Sequence, residues 1–374
     1  MTNSLGQLRF PTSLAFEPVQ LCNARCFCCP YTWLAQEGKY RSQVMSRPRI
    51  KELLNDFGGR PRNSGYQGLL TVHPFRFSDP LLCQDLDLVF ELADVHKFNV
   101  VMTTNGVALT QRNLELLNAY PHRMSKISIS LIGSNAQEIR KSMGLDFNKV
   151  LGNLDVLVEH YPALRPLVRV TLRIVSELPK ERETLELLMK RLRSKGIAVK
   201  LIHENWMTNR IDASKFAEGQ RPTPLSATPQ TEERFVVGCG WANQLFQRME
   251  VMVDGSVVLC CDDAEKHKTF GNVFEKGIKK IWMGPLRAEH LTIAGRKYSK
   301  HKDGLICGSC VRALWSDKGQ TVADWQHHST EMAEIPGGAS NEAYRLRMEN
   351  MMLHRTIHDH TVRLRPPATP QKSV

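Results

Sequence analysis

Six apolar, β-prone runs alternate with amphipathic helical stretches over the first two hundred residues. "SLAFEPVQ" reads as a strand, and "VMSRPRIKELLNDFG" as a loop leading into a helix. "GLLTVHPF", "FNVVMTTN", "KISISLI" and "LVRVTLRIV" read as further strands. They are followed in turn by helical "LDLVFELADVH", "TQRNLELLNAY", "NKVLGNLDVLVEHY" and "ERETLELLMKRLRSKG", and "IAVKLIHEN" closes the series. A chain of this pattern is confined to the α/β class, with a parallel sheet and helices outside, as a partial barrel or an open sheet. In such folds the chemistry collects at the C-terminal ends of the strands.

The first strand is followed by "QLCNARCFCCPY", which holds Cys22, Cys26, Cys28 and Cys29 of the chain's 10 cysteines. The N-terminus lacks the apolar core of a signal peptide, and no apolar run approaches the roughly 18 residues of a membrane span. A cytoplasmic protein is expected, without membrane association. Thiols stay reduced there, so clustered cysteines point to metal or catalysis rather than to disulfides. Cys22, Cys26 and Cys29 fit C-x3-C-x2-C. A compact loop with this spacing can aim three thiolates at three irons of a cubane and leave the fourth iron open to a small molecule. Cys28 is the surplus thiol and reads as a bystander. Zinc is the alternative metal.

The net charge of +12 is spread along the chain in short groups such as "MKRLRSKG". Nucleic acid is therefore not the expected partner; an acidic or phosphorylated substrate, or solubility alone, accounts for the charge.

Near residue 207 the composition shifts. "RIDASKFAEGQRPTPLSATPQTEER" is polar and contains prolines, as a linker does. "RMEVMVDGSVVLCCDD" reads as a hairpin joined at Asp254-Gly255, and "KGIKKIWMG" as a short helix. Cys239, Cys260, Cys307 and Cys310 form a second set, with Cys261 competing for the place of Cys260. Four thiolates would fill every iron of a second cubane, which suits electron transfer; taken alone they suit zinc equally well. The expected division is a core over 1–206, a linker over 207–236, a small cysteine domain over 237–318 and a helical or flexible extension over 319–374.

"CNARCFCC" after the first strand, "SDPLL" after the second, "TTNG" closing the third and "ISISLIG" in the fourth resemble the radical S-adenosylmethionine (SAM) superfamily, over residues 13–205. The resemblance implies a partial (β/α)6 TIM-like barrel with a small C-terminal auxiliary-cluster domain. It implies a [4Fe-4S] cluster on Cys22, Cys26 and Cys29, with SAM on the open iron cleaved to methionine and a 5′-deoxyadenosyl radical. The family often shows a "GGEP"-like run that meets the SAM amino group. Here "FRFSDPLL" stands in its place, with Ser78, Asp79 and Pro80, and Asp79 replaces the glutamate with a shorter reach. By similarity Ser130 and Arg140 meet the ribose or the carboxylate. Arg173 either meets SAM carboxylate or substrate, or faces a helix end. Asn105 and Gly106 are structural or ligand-contacting.

"CGWANQLFQRMEVMVDGSVVLCCDD", "FGNVFEKGIKKIW" and "CGSC" resemble the SPASM/Twitch extension of these enzymes. No cysteine follows Cys310, so one auxiliary [4Fe-4S] cluster is implied rather than two. With no leader-binding domain ahead of the first strand, the pattern is similar to the aminocyclitol dehydrogenase of butirosin biosynthesis. That implies a small polar, sugar- or aminocyclitol-like substrate that is oxidised, and an electron donor such as flavodoxin or ferredoxin. A peptide- or protein-modifying maturase or an epimerase is the alternative, and a zinc or iron–sulfur scaffold the non-enzymatic one. An epimerase needs a thiol to return a hydrogen atom. Cys28, Cys83 and Cys261 are left over, and Cys83 reads as a small buried residue at a helix start.

Overall fold

The computed structural model describes residues 10–59, 70–174, 179–203, 235–239, 247–287 and 313–316. Strands β1 (Ser13–Phe16), β2 (Thr71–His73), β3 (Asn99–Thr104), β4 (Met124–Ile132), β5 (Val168–Ile174) and β6 (Ala198–His203) lie side by side in chain order, every neighbouring pair parallel. Helices α1 (Pro30–Gln36), α2 (Arg47–Gly58), α3 (Leu86–His96), α4 (Gln111–Ala119), α5 (Ala136–Met143), α6 (Phe147–His160) and α7 (Pro179–Ser194) fill the connections. The expected α/β architecture with a parallel, unclosed sheet is what the chain adopts.

One face of the sheet carries the core. Val100 and Met102 of β3, Ile127 and Ile129 of β4 and Val168, Val170 and Leu172 of β5 are buried. They meet helix faces such as Leu86, Val89, Phe90 and Ala93 of α3, spaced three and four apart as one helical face requires. The alternate residues point to the other face and are polar: Lys126, Ser128 and Ser130 on β4; Arg169, Thr171 and Arg173 on β5. The first strand is shorter than the reading "SLAFEPVQ" suggests. It ends at Phe16, before Pro18, and Val19 makes only an isolated bridge to Val44.

The expected hairpin is present as β8 (Arg248–Val251) and β9 (Ser256–Val258), antiparallel. Gly255 takes φ +88°, and a Cβ there would lie 2.4 Å from the Phe274 ring, so the turn needs glycine. β8 also pairs parallel with β1, and β10 (Thr269–Asn272) pairs antiparallel with β9, which makes a nine-stranded sheet. Helix α8 (Val273–Trp282) breaks at Gly277, φ +74°. The Ile278 N–H beyond the break donates to Asp56 Oδ2 of α2 at 2.7 Å, a cap supplied from 222 residues away. β7 (Phe235–Cys239) and β11 (Ala313–Ser316) form a separate antiparallel pair. Apart from β7 and β11, the linker, "ICGSC" and the extension over 319–374 lie outside the described residues. No described helix is long and apolar enough to cross a membrane.

Candidate functional site

The loop from Glu17 to Cys29 leaves the C-terminal end of β1 and is pinned on three sides. Gln20 N donates to Gln43 O at 2.8 Å and Met45 N to Pro18 O at 2.9 Å. Asp79 N donates to Leu21 O at 2.9 Å, which ties the loop to the segment after β2. Arg25 N and Phe27 N donate to Met143 O and Ser142 O at 2.7 and 3.0 Å, the free carbonyls at the end of α5. Helix α5 is held in turn by Ser142 Oγ, which donates to Ile132 O at 2.5 Å. Within the loop Cys29 N donates to Cys26 O at 3.0 Å, and Thr32 Oγ1 donates to the same carbonyl at 2.8 Å. Pro30 then opens α1, so Cys29 sits as its N-cap.

Cys22, Cys26 and Cys29 are half-buried, whereas Cys28 is 2% exposed and belongs to the hydrophobic core. Burial pushes the Cys22 thiol up to about 11, and the charge of Asp79 adds to it. Cys26 and Cys29 are pushed well above the ordinary thiol value, first by burial and then by the neighbouring cysteines. Arg173 of β5 opposes the shift at both, so its guanidinium lies within electrostatic reach of the cysteine loop. The donor set therefore fits a multi-iron cluster: soft thiols in mutual reach, held out of water, whose ionised forms need a cationic partner. Among the described residues no three His, Cys, Asp or Glu side chains converge on a single-ion site.

Ala24 N donates to Cys22 Sγ at 3.4 Å, and Asn105, just past β3, brings a side-chain amide to the same thiol. Asn105 Nδ2 donates to Asn23 Oδ1 at 2.5 Å and lies 3.8 Å from Cys22 Sγ. Gly106 takes φ +86°, a conformation that favours glycine, and a Cβ there would crowd Val150 at 3.0 Å and Ile129 at 3.1 Å. Asp79 is 2% exposed, and its two oxygens accept from Leu81 N at 3.1 Å, Thr104 Oγ1 at 2.7 Å and Asn105 N at 3.0 Å. It braces the β2 loop against the end of β3, and burial raises its pKa in spite of those bonds. Ser78 and Pro80 beside it are buried. Ser130 is half-buried on the polar face of β4, in register with Thr171. Arg140 stands exposed on α5.

In the C-terminal segment Cys260 and Cys261 are both half-buried after β9. Cys261 Sγ lies 3.9 Å from Asp262 Oδ1. Cys239 ends β7, opposite Ala313 of β11, the third residue after Cys310. Cys307 and Cys310 lie outside the described residues.

Sequence reasoning misses Arg76, in "HPFRFSDP". Its side chain is fully buried and paired with Glu250 of β8 at 3.1 Å. Nη2 donates to Cys260 O at 3.0 Å and to Asp263 O at 3.4 Å, and Nη1 meets Met252 Sδ. Arg76 thus joins the loop that braces Asn105 to the backbone of a candidate auxiliary cysteine. Only its position beside "SDP" hints at this, because both partners are more than 170 residues distant.

Residues 239–311 match the model of the SPASM family, described as an iron–sulfur cluster-binding domain. No curated protein sequence matches the chain significantly. Among solved structures, a histidine-tagged form of anSMEcpe with bound AdoMet is similar at 15% identity and TM-score 0.52, over 87% of this chain and 96% of that one. Native anSMEcpe with bound AdoMet and Cp18Cys peptide is similar at 15% identity and TM-score 0.52, over 91% and 98%. BtrN in complex with AdoMet and 2-DOIA reaches 17% identity and TM-score 0.42, over 75% and 85%.

Proposed function

We infer the activity from one premise: the chain has the radical SAM barrel fold and carries a SPASM iron–sulfur segment. It acts as a radical SAM enzyme that abstracts hydrogen from a small polar, sugar- or aminocyclitol-like substrate and oxidises it. The observation that carries this reading is the loop of three half-buried thiols at the C-terminal end of β1, within reach of the Arg173 cation. A [4Fe-4S] cluster with SAM at that loop supplies, when bound and reduced, a 5′-deoxyadenosyl radical.

The chain's own residues hold and shield that chemistry. Cys22, Cys26 and Cys29 are the thiol ligands, and Cys28 stays in the core. Arg173 offsets their negative charge and reaches the SAM carboxylate, and Ser130 on the adjacent strand and Arg140 on α5 meet the ribose or the carboxylate. Asp79, which already accepts from three internal donors, positions Asn105 beside Cys22 and offers SAM at most one further lone pair. Cys239, Cys260, Cys307 and Cys310 are the ligands of a second, fully ligated [4Fe-4S] cluster.

Oxidation removes a hydrogen atom, then a proton and an electron, and the second cysteine set provides for an electron acceptor. An epimerase would need a thiol at the barrel mouth. Cys83 is 4% exposed in the core at the end of the turn after Asp79, and that burial leaves it poorly placed as a hydrogen-atom donor. A peptide substrate is the second reading, because the structure of anSMEcpe matched over 91% of this chain holds the Cp18Cys peptide.

Anaerobic incubation with SAM, a strong reductant and sugars, aminocyclitols or peptides tests the choice. Substrate-dependent release of 5′-deoxyadenosine with a product two hydrogens poorer is expected from a small polyol. Turnover with peptides alone, or one carbon-bound deuterium gained from deuterium oxide without net oxidation, overturns it.

A further inference from the structure

The polar face of β4–β6 carries a diagonal of cations. Val101 pairs with Lys126, Ser128 with Arg169 and Thr171 with Lys200, so all three basic side chains leave the sheet on the face opposite the helices. Each step moves one strand across and two residues along, about 8 Å from the strand spacing and rise. Lys126 is half-buried, and Arg169 and Lys200 are exposed. None of the three has a carboxylate partner among the described residues; helix lysines such as Lys141, Lys149 and Lys190 lack one too, so what sets the three apart is their gathering on one face of the sheet. Burial holds Lys126 below the ordinary lysine value, and Arg169 and Lys200 push it the same way, which places the three charges within one another's field. His73 of β2 is held down by burial, by Arg248, itself paired with Glu250, and by Lys126, so the field of Lys126 reaches β2. Like charges gathered without counter-charge oppose folding unless something else requires them.

We propose that Lys126, Arg169 and Lys200 form the binding wall of a further site, for a small molecule that carries more than one anionic group, phosphate or carboxylate. The site goes beyond the reading above: Lys126 is the third residue of β4 and Arg169 the second of β5, so the wall lies toward the N-terminal ends of the strands, away from the cysteine loop at the C-terminal end of β1. The wall spans two strand spacings, about 10 Å across the sheet, which is the scale of a small molecule. Arg169 supplies the planar fork that holds phosphate or carboxylate through two bonds, and the lysines supply point charges.

The test is equilibrium binding of pyrophosphate and, separately, of citrate to the anaerobically purified full chain at low salt. Saturable binding of at least one is expected, and the tighter of the two identifies the anionic group. The triple variant Lys126→Met, Arg169→Met, Lys200→Met should bind at least tenfold more weakly. The exposed helix variant Lys141→Met, Lys149→Met, Lys190→Met removes the same charge elsewhere and should change binding less than twofold. Should the first triple variant fail to fold, Lys200→Met alone, at an exposed position, should weaken binding about threefold. Absence of saturable binding, or equal weakening in the face and helix variants, overturns the proposal. SAM cleavage is measured separately, so either result can fail while the other stands.

Discussion

Glu17, one residue past β1, is fully buried, and burial pushes its carboxyl up to about 7 from the ordinary 4.5 in spite of the Arg76 charge and the Gln20 amide at 3.3 Å. A carboxyl whose pKa rises on folding favours the folded state only while it is protonated. Its contribution is complete below about 4.5 and is lost as pH rises through about 7. At 1.36 kcal/mol per pH unit, that interval corresponds to about 3 kcal/mol. Glu17→Gln keeps the shape and removes the titration. The new amide N–H group costs about 1 kcal/mol wherever it lacks an acceptor. The variant should therefore be about 2 kcal/mol more stable than wild type at pH 8.5 and equal or slightly less stable at pH 4.5. Urea denaturation of both proteins at the two pH values measures the difference. A stability difference that does not change between pH 4.5 and 8.5 would refute the burial argument.

Asp79→Ala strips acceptors from two buried backbone N–H groups and the Thr104 hydroxyl, and should cost about 2–4 kcal/mol in the same denaturation assay. If the loss is under about 0.5 kcal/mol, the bracing role is wrong. Cys28→Ala should keep its iron near the wild-type level, because that thiol lies in the core; iron loss equal to that of Cys26→Ala would reverse the ligand assignment. Cys310→Ala should lower iron from about eight to about four per chain. Loss of zinc in place of iron would show the second set to be a zinc site.

Much of the fold can be read where local pattern and burial agree. "LDLVFELADVH" is α3 residue for residue, because its apolar positions repeat at helical spacing over three turns. The strands β3 to β6 are rich in β-branched residues that alternate between core and polar face. Helix α5 does place its buried residues on one face, Ile139, Ser142 and Met143, but at eight residues and with only two of them apolar the pattern is too short to stand out in the sequence. Its caps are legible: Asn135 Oδ1 accepts from Glu138 N at 2.9 Å, and Gly144 closes the helix at φ +68°. Helix α1, seven residues long, is hidden behind the cysteines. The cysteine loop can be found because the spacing of its thiols is local. Arg76, Glu250 and the pairing of β8 with β1 cannot, because a charge in a loop and a short strand give no sign of partners more than 170 residues away. The cationic face is intermediate: Lys126, Arg169 and Lys200 look like scattered charges until strand register puts them on one side.

The central claim is that Cys22, Cys26 and Cys29 hold the cluster at which SAM is cleaved. It is tested most directly by 5′-deoxyadenosine release from SAM under anaerobic reduction, in wild type and in Cys26→Ala. Wild type should release 5′-deoxyadenosine and Cys26→Ala none, with about four irons per chain lost, because two thiolates do not retain a cubane. Undiminished release by Cys26→Ala would contradict the account.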